Sequence, residues 1–147
     1  MKETIPFVVH LPRFNFGEDA LLLLADNSTI AWLISRFGEL ADHPVETVGS
    51  AFVIGDGEPV RSDGQCLIFV ELNYQAKGSE LIRQSPTTFR WILSISSASH
   101  YRDLLSGMSE SRSPCHQYLD PDNAPPAPVV VVSFDEYQAD AFRRAKA

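Results

Sequence analysis

The chain reads as one α+β domain over residues 1–147, a mainly antiparallel sheet of about five or six strands with two or three helices packed on it. Three observations predict that class. Phe89, Trp91, Leu93 and Ile95 alternate with Arg90, Ile92 and Ser94, the period of a strand with one face on a core. Ile30, Leu33, Ile34, Phe37 and Leu40 recur at helical spacing directly after Asp26, Asn27 and Ser28, which are helix-capping types. Val129 to Val132 is an unbroken β-branched run behind a proline-rich loop, as a buried strand requires.

Taken in order, Pro6 to His10 reads as a short strand, with Pro12 and Gly17 punctuating the turn after it. Ala20 to Ala25, ALLLLA, is a strand feeding a helix from about Ser28 to Ala41. SAFVI at 50–54, the turn GDGEP at 55–59 and QCLIFVEL at 65–72 form a hairpin with a long loop. Its second strand is apolar on both sides and is expected to be central in a covered sheet. Residues 73–87 carry Gly78 and Pro86 and read as a connection with a helical turn. Ser96 and Ser97 cap a helix through Tyr101, Leu104, Leu105 and Met108 that stops near Gly107. Asp120 to Pro128, DPDNAPPAP, is proline-stiffened and extended. Ser133 and Glu136 make a capping box that opens a last helix through Tyr137 and Phe142.

Composition narrows the function classes. A chain of 147 residues is long enough to bury a core that needs neither metal nor disulfide, and 44% hydrophobic with 21% charged residues is an ordinary globular balance. The net charge is -7. Three of the 12 cations, Arg143, Arg144 and Lys146, lie in the last five residues, so residues 1–142 set nine cations against 19 acids, a balance of -10. Such a surface repels phosphates and anionic lipid, which argues against nucleic acid and membrane as partners and for a basic protein. The amino terminus, MKETIPFVVHLPRF, lacks the apolar core of a secretory signal, and a cytoplasmic protein is expected. Cys66 and Cys115 have no metal-ligand spacing and read as free thiols.

Motifs for catalysis are missing: there is no phosphate loop, dinucleotide fingerprint, nucleophile elbow or H-E-x-x-H helix. His10, His43, His100 and His116 are scattered without ligand spacing. The segment Pro114 to Tyr137 is the densest in candidate residues. Cys115 beside His116 invites a thiolate nucleophile, but sequence neighbours in an extended segment point apart, and a loop thiol is the plainer reading. His116, Tyr118 and Asp120 alternate, so an extended chain projects them together toward a ligand or partner; otherwise Tyr118 and Leu119 anchor the loop while His116 and Asp120 meet water. Asp120 and Asp122 supply too few oxygens for a hard cation, and neither a metal nor a cofactor is expected. Asp56 and Glu58, with Asp63, form an acidic patch at the hairpin turn that suits a cationic partner or merely solvates a turn. Trp32 and Trp91 read as core.

WILS followed by a helix, then PCHQYLD, then VVVVSFDEY, resembles the small acidic immunity proteins that accompany bacterial polymorphic toxins. The likeness spans residues 89–137, with a looser strand and helix at 20–41, and Cys115 stands where a small residue usually precedes the histidine. The resemblance implies a non-enzymatic protein that binds a toxin and occludes it. The resemblance carries over no contact residue; the alternation and the acidic patch described above make His116, Tyr118, Asp120, Asp122, Asp56 and Glu58 the expected binding residues. The alternatives are a small-ligand binder or enzyme with a pocket near Cys115, His116 and Tyr118, and a homodimer.

Overall fold

The computed structural model describes residues 6–14, 18–42, 52–57, 60–62, 66–111 and 114–134. In chain order these form β1 (Phe7–Phe14), β2 (Glu18–Ala25), α1 (Asn27–Asp42), β3 (Phe52–Ile54), β4 (Arg61–Ser62), β5 (Leu67–Leu72), β6 (Ser79–Arg83), β7 (Thr88–Leu93), α2 (Ile95–Ser109), β8 (Cys115–Tyr118) and β9 (Val129–Phe134). The class is α+β, but the single antiparallel sheet is replaced by two mixed ones. A five-stranded sheet runs β4-β1-β2-β9-β8 and a four-stranded sheet runs β3-β5-β7-β6. The parallel pairs are β1 with β4, β2 with β9, and β5 with β7. Parallel neighbours need a long crossover, and here each is joined through other elements rather than by a tight turn.

The apolar run of β2 follows from its position between β1 and β9. Leu21, Leu23 and Ala25 enter a core shared with the second sheet and both helices, while Ala20, Leu22 and Leu24 enter a separate cluster with Phe7, Val9, Val129 and Val131. The valine run of β9 divides the same way, Val130 and Val132 to the shared core and Val129 and Val131 to the other. Burial on both faces is why neither strand shows alternation.

Both helices begin where a strand ends. Asp26 caps α1, its Oδ1 accepting from the Thr29 backbone N–H and hydroxyl at 2.8 Å each. Ile30, Leu33 and Phe37 form the buried stripe. Ser94 caps α2 by accepting from the Ser97 N–H at 3.0 Å, ahead of Ser96 and Ser97, the caps the sequence suggests. The helices are tied by Arg102, whose Nη1 donates to both oxygens of Asp42 at 3.0 and 2.9 Å. Phe37 and Tyr101 meet Trp91 with ring centroids 5.7 and 5.1 Å apart. Trp91 is fully buried, whereas Trp32 is half-buried and edge-on to Phe52. No helix among the described residues is long and apolar enough to cross a membrane.

Several boundaries differ from the sequence reading. β1 continues through Pro12 and shifts register between Leu11 and Phe14, where proline removes a ladder donor. β3 and β5 pair antiparallel as the hairpin reading requires, but their connection contributes β4 to the other sheet. Gly55, at φ +103°, permits that path, since a side chain there would strike the Cys66 carbonyl. The connection at 73–87 contains β6, antiparallel to β7. Ser133 lies inside β9, opposite Leu24, and is buried, so no helix starts there; the rest of that expected helix falls outside the described residues. Residues 122–127 are turns rather than an extended run, with Ala124–Pro125 and Pro125–Pro126 both cis.

Those turns close the outer edge of β6. The Asp122 N–H donates to the Ser79 carbonyl at 2.8 Å, and the Ser79 N–H donates to Asp122 Oδ2 at 2.9 Å. The Asn123 side chain then behaves as a strand residue, accepting from the Leu81 N–H at 3.0 Å and donating to the Leu81 carbonyl at 2.9 Å. Each edge group of β6 at these positions therefore has a partner.

Candidate functional site

The turns place the chain after β8 across the first turns of α2, leaving a cleft of about 350 Å³. Ser96, Ser97, His100 and Leu104 line it from the helix, and Tyr118, Asp120 and Asp122 line it from the opposite segment, with Tyr101 at the base. Three features fix its walls. Leu119 is buried and its N–H donates to the Val130 carbonyl at 2.7 Å, extending the β8 pairing by one residue. The Tyr101 hydroxyl donates to the Asp120 carbonyl at 2.7 Å. Asp122 is held by Ser79, which in turn accepts from the Trp91 indole N–H at 2.8 Å.

The two cleft carboxylates differ in their surroundings. One oxygen of Asp122 is engaged by the Ser79 N–H. The carboxylate of Asp120 has neither a hydrogen bond nor an ion pair among the described residues. Burial raises the Asp120 carboxyl above its ordinary 3.8, although the residue as a whole is exposed. The cleft wall takes water from the carboxylate without supplying a compensating charge. Among the described lining residues none is Lys or Arg. Burial also pushes the Tyr101 phenol up to about 12, so it stays a neutral donor to Asp120 at any ordinary pH.

A second groove, about 450 Å³, lies on the far side of Asp122. Its walls include Asn73, Gln75, Lys77, Glu80 and Asn123, and Ile92 is apolar within it. Ile92 alternates with the buried Trp91 and Leu93, so this groove opens on the outer face of the four-stranded sheet. Tyr74, between two lining residues, is 42% exposed. Gly78 leaves room for the shared wall: a side chain there would collide with the Asp122 carboxylate and displace it.

The sequence-derived candidates separate into distinct places. Tyr118, Asp120 and Asp122 come together in the cleft. His116 is exposed and does not line it, its ring standing edge-on to Tyr118 at 5.6 Å. Cys115 is half-buried and packs on the shared core, whereas Tyr118 packs on the cluster of the opposite face, so the two side chains lie on opposite sides of the sheet. Asp56 is exposed beyond β3, at the other edge of the four-stranded sheet from Asp122. Glu58 and Asp63 lie outside the described residues. His100, Ser96 and Ser97 were not marked as site residues by the sequence; their only signal is helical spacing onto one side of α2. No hydrogen bond joins His100 to Ser96, Ser97 or Asp120 among the described residues. No group of three or more His, Cys, Asp or Glu among them is arranged to hold a metal ion.

Comparison with known protein families, curated proteins and solved structures finds no match to this chain.

Proposed function

We propose that the protein is a non-catalytic binding module that captures a basic protein partner, in the way an immunity protein neutralises a basic bacterial toxin. The observation that carries this reading is the position of Asp120 in the cleft beside α2, with no Lys or Arg among the described lining residues. A cationic side chain from a partner meets no competing positive charge among those lining residues, and the overall charge of -7 accelerates encounter with a basic protein. Leu104 in the cleft lining supplies apolar contact beside the charge.

The test is capture from the source-cell lysate at low salt, followed by elution at high salt and identification by mass spectrometry, with Asp120→Asn immobilised in parallel. A stoichiometric basic protein released by salt and retained at least tenfold less by the variant is the expected result. Equal retention by both forms, or capture of acidic proteins alone, contradicts the reading.

A further inference from the structure

Two clefts meet at one residue. Asp122 lines both the helix-side cleft and the groove over the outer sheet face, and its two contacts with Ser79, one through the carboxylate and one through the backbone N–H, hold it in the wall between them. The chemistry on either side is different. The helix side offers Asp120 with no Lys or Arg beside it, whereas the outer side offers the apolar Ile92. Across both, the charged lining residues described are Asp120, Asp122 and Glu80 against Lys77, so acids outnumber cations, most clearly on the helix side, where no Lys or Arg lines the cleft.

Resting on the reading of a basic partner, we infer that the two clefts are subsites of one groove for an extended segment of that partner, which places a cationic side chain beside Asp120 and an apolar side chain over Ile92. Such a segment passes over Asp122 at the edge that the Asn123 turn has closed. It binds through side chains, because the β6 backbone groups paired to Asp122 and Asn123 are already satisfied. Charge selects basic chains on one side, and the apolar contact distinguishes among them on the other.

The probe is the peptide acetyl-Arg-Gly-Gly-Leu-amide, titrated into ¹⁵N-labelled full-length protein and followed by amide chemical shifts. Its citrulline counterpart keeps the shape of arginine and removes the charge. The expected result is movement of Ser97, His100 and Asp120 together with Ala76, Gly78 and Ile92, and binding at least tenfold weaker for the citrulline peptide or for Asp120→Asn. The spectrum of the variant itself shows whether it is folded. Shifts confined to one cleft, shifts elsewhere, or equal binding of the two peptides overturn the inference. If salt-released capture of a basic partner persists in that case, the groove assignment fails while the partner reading stands.

Discussion

Replacing Asn123 by alanine removes two hydrogen bonds at once, those to the N–H and the carbonyl of Leu81. Each such bond contributes about 0.5–1.5 kcal/mol net, and a buried donor left without a partner costs about 1–3 kcal/mol. Leu81 is 2% exposed, which limits direct hydration of its backbone. The two effects overlap, so the expected loss is about 2–4 kcal/mol rather than their sum. In a domain of this size a loss of 1 kcal/mol lowers Tm by about 2–4 °C, giving a fall of roughly 10 °C. Urea unfolding of wild type and variant measures the loss directly, and calorimetry supplies Tm. Asn123→Asp is the informative companion: it keeps an acceptor for the Leu81 N–H but sets an anionic oxygen against the Leu81 carbonyl, so it is expected to be no more stable than the alanine variant. A loss below about 0.5 kcal/mol for Asn123→Ala refutes the reasoning, because water would then satisfy the edge as well as the side chain does.

Gly78→Ala forces the Asp122 carboxylate off the Ser79 N–H and is expected to cost about 1–3 kcal/mol, measured by the same urea titration; an unchanged midpoint refutes the contact. Tyr101 is protonated below pH 10 in both folded and unfolded chains, but above that the unfolded chain ionises first because the folded phenol holds its proton to about 12. Its contribution is therefore complete below pH 10 and is lost as pH rises toward about 12, and Tyr101→Phe is expected to flatten that part of the stability profile.

Sequence periodicity located the elements whose burial is regular. β7 alternates because one face is buried, and α1 carries both its cap and its stripe in adjacent residues, so each is defined locally. β6 was hidden because Ser79 is buried for the sake of the Trp91 indole, a contact that spans 12 positions and leaves no apolar mark. The division into two sheets depends on pairings such as β2 with β9, separated by a hundred residues, which no local pattern encodes. Tyr118, Asp120 and Asp122 were legible as a cluster because they are close in the chain. His100 was not, because its place in the cleft depends on Leu119 and Tyr101 drawing a distant loop over α2.

A sheet edge is an invitation to a second copy of the same strand, and Asn123 changes what this protein offers at high concentration. β3 and β4 are only three and two residues long, so each gives an intruding chain little ladder to extend. β6 has five residues and is the longer template, yet its Ser79 and Leu81 positions are occupied by a turn from the same molecule. The side chain that completes this cover protects against self-association as well as unfolding. Molecules that lose it while remaining folded would present β6 to one another, turning a conformational defect into aggregation that grows with concentration.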